Sequence, residues 1–177
     1  MENRSRAVLL AAVFALTLAG CRNQPVRDVT PSKGPALQPT GPPMSGIPFR
    51  SLEVRPNSAL SAPERTVLLD RTAFLAAWQR AHAGLDPGII LPAVDAARQV
   101  VVLVALGERP SGGHAIRVTA VESRGDSLLV HVESTRPGPD CMSAAVMTQP
   151  FEFVAIGWHG PAERVRFVER ERIGDCK

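Results

Sequence analysis

Four histidines, three cysteines and one serine set between a proline and two glycines have the widest chemical reach in this sequence. His82, His114, His131 and His159 never form His-x-His or His-Glu-x-x-His, the spacings that bring two imidazoles to one metal. No metal site and no cofactor is therefore expected. Ser111 stands in Arg109, Pro110, Ser111, Gly112, Gly113, His114. A serine nucleophile needs the strained Gly-x-Ser-x-Gly turn that lifts its hydroxyl clear of a sheet, and that spacing is missing. Gly107 and Gly112 are separated as in a phosphate loop, but Gly113 and His114 occupy the positions where Lys and Ser or Thr would meet phosphate and magnesium. Glu108 with Glu122 or Glu133 could work as an acid–base pair only if the fold joined them, and as strand residues they read first as solvated charge. The chain is accordingly read as non-enzymatic.

Cys21 keeps different company. Arg4 and Arg6 precede an apolar run from Ala7 to Gly20, interrupted only by Thr17, which gives the charged and hydrophobic regions of an export signal. The run is shorter than the roughly 20 residues that span a bilayer. It ends in Leu18, Ala19, Gly20, Cys21, a sequence similar to the bacterial lipobox, in which small side chains let the peptidase reach the backbone and the cysteine is diacylated. Residues 1–20 are expected to be removed and Cys21 to carry the lipid. The anchor gains about 0.8 kcal/mol per buried methylene. Arg22 follows the cysteine where Asp would favour retention at the inner membrane, so resemblance to Gram-negative lipoproteins implies the outer membrane, facing the periplasm. Cys141 and Cys176 then remain as an even pair in an oxidising compartment, where a disulfide is the default. It would close about 35 residues and contribute roughly 3 to 4 kcal/mol. A nucleophilic Cys141 would instead need a nearby base and a free thiol.

These groups must be carried by one folded domain. The 177 residues are 45% hydrophobic, and 20 Lys plus Arg stand against 17 Asp plus Glu, a net charge of +3. That excess is too small, and too scattered, for a nucleic-acid groove. With no Tyr, six Phe and two Trp, aromatic platforms for bases or sugars are also poorly supplied. Residues 21–49 hold Pro25, Pro31, Pro35, Pro39, Pro42, Pro43 and Pro48 among Gly, Ser, Thr and Gln. Proline at that density removes backbone donors and stiffens the chain, so this segment is read as a tether. Residues 50–177 are the expected globular domain, long enough to bury one core without metal.

Within that domain Leu52 and Val54 alternate with polar neighbours as a short strand, and Val67–Leu69 reads as a second. Asp70 or Thr72 caps a helix carrying Phe74, Leu75, Trp78 and Ala81 on one stripe, with Gly84 as its stop. Phe74 and Trp78, one turn apart, should bury against a sheet. Gln99–Leu106 is a continuous apolar run and should be a central strand covered on both faces. Ala115–Val121 and Leu128–Glu133 flank Arg124, Gly125 and Asp126 as a hairpin, with His131 facing solvent. Phe151–Ile156 and Arg164–Val168 read as a further pair joined through Gly157, Trp158, His159, Gly160 and Pro161. The expected class is α+β, an antiparallel sheet of about six strands with one packed helix.

Val94–Val168 resembles the C-terminal domain of the PrcB family, named for a lipoprotein subunit of a surface serine protease complex. Val94 and Asp95 lead into the apolar strand Gln99–Leu106. The strand ends in a Gly-x-Arg-Pro-Ser-Gly-Gly loop, Gly107 to Gly113, and Thr148, Gln149, Pro150, Phe151 introduce a later strand. Ala96 and His114 depart from the pattern, which prefers aromatics at both places. The resemblance implies an accessory factor that associates with or stabilises an exported protease. Arg109, Pro110, Ser111, Gly112, Gly113 and His114 are the expected partner-binding loop, since loops on stiff sheets commonly carry binding. Two other functions fit the pattern. One is a protease inhibitor, because the Pro-Ser-Gly-Gly loop is faintly similar to the Thr-Gly-Tyr loop of chagasin-type inhibitors. The other is a small-molecule-binding envelope lipoprotein that uses a pocket between helix and sheet.

Overall fold

Short runs of β-branched residues separated by turn residues favour strands over most of the chain, and the structure follows that bias. A computed structural model describes residues 45–85, 90–158 and 160–175. The signal segment 1–20, Cys21, most of the tether, His159 and Cys176 lie outside the described residues. The elements are β1 (Ser45–Gly46), β2 (Phe49–Arg55), β3 (Glu64–Leu68), α1 (Arg71–Ala81), β4 (Val100–Ala105), β5 (Ala115–Arg124), β6 (Ser127–Pro137), β7 (Phe151–Ile156) and β8 (Val165–Gly174), with a 3₁₀ turn at Ala162–Arg164. They form two four-stranded sheets, ordered β1-β5-β6-β8 and β2-β7-β4-β3.

The fold is therefore mostly β with one helix, and the single antiparallel sheet of about six strands expected from sequence is corrected to two sheets. Phe151–Ile156 and the C-terminal strand do not pair either. β7 lies antiparallel between β2 and β4, whereas β8 runs parallel to β6 in the other sheet. Burial explains the separation. All six residues of β7 are buried, as a strand covered on both faces must be, while β8 is exposed from Val168 to Ile173 and suits an edge in water. A parallel β6–β8 pair needs a crossover, and β7 supplies it. The folded part also begins earlier than Arg50: Ser45 and Gly46 pair with Ser123 and Glu122 of β5, and the Ile47 N–H donates to the Val121 carbonyl at 2.8 Å.

Three layers result. Val100, Val102 and Val104 of β4 meet Ile116, Val118, Leu128, Val130 and Val132 between the sheets. Val101, Leu103 and Ala105 turn the other way, toward α1, where they join Phe74, Trp78, Phe151 and Phe153. The expectation of a strand covered on both faces holds for every residue of β4. Each such Val or Leu contributes about 1.5 to 3 kcal/mol by leaving water. Asp70 is the helix cap, its carboxylate accepting from the Ala73 N–H at 2.8 Å. The buried stripe is Phe74, Ala77, Trp78 and Ala81; Leu75, expected in it, is 39% exposed. Phe74, Trp78 and Phe153 contact one another with ring centroids 5.2 to 5.7 Å apart.

Candidate functional site

Gly107 begins the site. At φ +71°, it turns the chain away from the end of β4, and an added Cβ would lie 2.7 Å from the backbone of Ala62 and Pro63. Only glycine satisfies both demands. The turn sends Glu108 across to donate its N–H to the Ser61 carbonyl at 3.0 Å. Arg109 and Thr148 then exchange both main-chain hydrogen bonds, at 2.8 and 3.0 Å. The Gly112 N–H donates to the Ala144 carbonyl at 2.9 Å, and the Thr148 hydroxyl donates to the Ser111 carbonyl at 3.0 Å. Residues 109–112 are thus fastened along their length to the segment between β6 and β7. Gly113 returns the chain at φ +83° into β5, its Cα side against the Pro137 ring.

The six residues expected to bind a partner do form one loop. Pro110 and Gly113 are exposed, while Arg109, Ser111, Gly112 and His114 are half-buried. The loop overhangs a groove of about 400 Å³ at one end of the sandwich, shared with Leu106, Ser134, Arg136 and Glu171. Arg136 pairs with Glu171 at 3.3 Å. The Arg109 guanidinium reaches only the Glu108 carbonyl, at 3.5 Å, and pairs with no carboxylate among the described residues. Burial, then the nearby Arg109 and Arg136 charges, hold the His114 imidazole below its ordinary pKa of 6.5, and Glu171 only partly opposes them.

Three groups at this site were not singled out for it from sequence. Arg136 and Glu171 come from β6 and β8, whose parallel pairing brings them to the groove. Thr148 anchors the loop; it is visible in the Thr-Gln-Pro-Phe run, but nothing in that run says that its hydroxyl reaches Ser111. On the far side of Gly113 and Pro137 a second depression, of about 480 Å³, is lined by Asp140, Cys141, Met142, Ser143, Gly174 and Asp175. Met142 is exposed there, and Val146 and Met147 are exposed farther along the same segment.

The remaining candidate groups lie outside the groove. Cys141 is half-buried, with Sγ 3.9 Å from the Gly174 carbonyl oxygen, two residues before Cys176 in sequence. His82 is buried at the C-terminal end of α1, its Nδ1 donating to the Trp78 carbonyl at 2.7 Å and its Nε2 lying 2.9 Å from a Glu53 carboxylate oxygen. His131, expected in solvent, is only partly exposed and lies 3.5 Å from Glu122. Among the described residues no three His, Cys, Asp or Glu side chains gather to hold a metal. The cavity beside α1, between Phe74, Val94 and Val101, is about 20 Å³ and has room for a water rather than a metabolite.

Residues 100–157 match the family model described as PrcB C-terminal, which bears out the resemblance over the two central strands, the glycine loop and the hairpin. No curated protein and no solved structure matches the chain.

Proposed function

We propose that this domain is a non-enzymatic accessory subunit that binds an exported protease and holds it at the cell envelope. The observation that carries the reading is the fastening of residues 109–112 to the Thr148 segment. A loop tied at this many points offers a partner a preformed surface and avoids an ordering cost on binding. The PrcB C-terminal match over residues 100–157 supports the protease as the partner class. Lipid on Cys21 and the proline-rich tether supply the attachment, and a Cys141–Cys176 disulfide pins the segment beside the loop to the C-terminus. The 20 Å³ cavity beside the helix weighs against a small-molecule carrier.

Affinity isolation of the protein from membranes, followed by mass spectrometry, tests the reading, and an exported protease is the expected companion. Ser111→Ala with His114→Ala should weaken that capture by about 5- to 150-fold, the range expected of interface anchors. Unfolding should meanwhile stay within about 0.5 kcal/mol of wild type, as at other surface sites. Recovery of the protein with a transporter, or with no exported enzyme, would overturn the reading.

A further inference from the structure

We infer that the groove between the Arg109–His114 loop and the ends of β6 and β8 receives an acidic side chain, Asp or Glu, from an extended segment of the partner protein. The inference rests on the accessory reading and adds what the partner must present. Charge is the first argument. Three elements place ionic groups in the groove: Arg109 from the loop, Arg136 from β6 and Glu171 from β8. Arg136 and Glu171 pair with each other at 3.3 Å, which leaves Arg109, a half-buried residue whose guanidinium makes one long, exposed hydrogen bond to a carbonyl. A planar fork with unused donors is matched by a carboxylate better than by any neutral side chain.

His114 reports the same field. Its imidazole is disfavoured as a cation by burial and by both arginines, and Glu171 does not cancel them. The groove is therefore net positive at that ring, and an anion is the ligand that relieves it. The choice of side chain over chain terminus comes from the shape. Past Gly113 and Pro137 the surface falls into the second depression, where exposed Met142 sits with Asp140 and Asp175, so the positive charge is confined to the Arg109 groove and the acidic residue belongs there and not farther along. A segment whose acidic residue lies at Arg109 can thus continue on and cover Met142 with an apolar neighbour, and the flexible thioether adapts to varied shapes.

The full chain, titrated with the blocked peptide acetyl-Ala-Leu-Asp-Leu-Ala-amide and its Asn counterpart, tests this while NMR follows the His114 ring through a pH series. The Asp peptide should bind about tenfold more tightly than the Asn peptide, as a charge-assisted pair should, and should raise the His114 titration midpoint. Both effects should vanish in Arg109→Gln, whose melting curve should match wild type because no ion pair is lost. Equal binding of the two peptides, or a His114 titration that saturating Asp peptide leaves unmoved, would overturn the inference. So would acetyl-Ala-Leu-Asn-Leu-Ala with a free C-terminus, if it bound as well as the Asp peptide, since a terminal carboxylate would then suffice. Undiminished capture of the native protease by Arg109→Gln overturns the groove and leaves the accessory reading intact. Binding of the Asp peptide by a wild-type chain that captures no exported protein has the opposite meaning: the groove stands and the accessory reading falls.

Discussion

The carboxylate of Glu152 accepts a hydrogen bond from the main-chain N–H of Val118 at 2.6 Å, across the interior from one sheet to the other. β1 covers β5 only at Glu122 and Ser123, and β5 slips register against β6 between Val118 and Ala120, a bulge beside this donor. Glu152 itself is 3% exposed, on a strand whose other residues are apolar or small. Burial pushes its carboxyl above the ordinary 4.5, against the pull of the Val118 N–H, Ser51 and Arg117.

Replacing Glu152 with Ala should cost about 2 to 3 kcal/mol, because the Val118 N–H is then buried without an acceptor. Glu152→Gln should cost less, since the amide oxygen still accepts. The pH dependence has a definite sign. A carboxyl raised above 4.5 in the folded state binds its proton more tightly there than in the unfolded chain, so its contribution is full below 4.5 and is lost as pH rises through the folded value. Denaturant melts from about pH 4 to about pH 7 should show that decline in wild type and a flatter profile in Glu152→Gln; equal slopes would contradict the assignment.

Gly107→Ala should be among the most damaging single changes in the chain. Positive φ costs an alanine about 1 to 3 kcal/mol, and here the Cβ also meets the backbone of Ala62 and Pro63 at 2.7 Å. Gly112→Ala is the comparison, because its Cβ would find Ala144 at an ordinary 3.7 Å and its φ is not positive. Thermal unfolding of both should separate them by several degrees. Similar melting points would mean that the turn relaxes around the new methyl.

Periodicity made β4, the β5–β6 hairpin and the α1 stripe legible, because each is a local pattern whose burial follows from its own residues. The sheet to which a strand belongs is not local. β7 and β8 are neighbours in sequence and strangers in space, and the cue that separates them is compositional: β7 is apolar at nearly every position, while Glu169–Arg172 alternates charge. The loop 109–114 was legible as a unit from its glycines, whereas its groove was not, since Arg136 and Glu171 reach it only through a parallel pairing. Glu169 shows the same limit. Its bidentate grip on Arg65 of β3, at 2.6 and 3.1 Å, ties two edge strands 104 residues apart.

His82 and Glu53 form a second buried polar pair, 2.9 Å apart, that fixes the end of α1 to β2. Removing one member of such a pair leaves the other desolvated, at about 3 to 5 kcal/mol. Arg55 also contacts Glu53 and moderates this, so His82→Ala should cost about 2 to 3 kcal/mol. A double-mutant cycle with Glu53→Ala should return a coupling of about 1 kcal/mol or more. Additive losses would reduce the pair to independent packing.

Cys141 and Cys176 should resist alkylation in protein taken from the envelope until a reductant is added. Two thiols that react at once would rule out the disulfide, and with it the pinning of the 138–147 segment to the C-terminus.

Thr148→Val isolates the loop's anchor. Valine keeps the branched shape of a buried side chain and removes only the hydroxyl that donates to the Ser111 carbonyl at 3.0 Å. The main-chain exchange with Arg109 survives, so the loop should stay in place, and stability should fall by about 1 kcal/mol, the net worth of one hydrogen bond. The consequence for binding should be larger than that loss implies, because a loop held at fewer points pays more ordering entropy when it meets a partner. Amide exchange at Gly112, which donates to Ala144 two residues from Pro110, reads the loosening directly. Faster exchange there with weaker capture of the partner is expected. Unchanged exchange together with unchanged capture would show that the backbone bonds alone fix the loop and that Thr148 serves only the core.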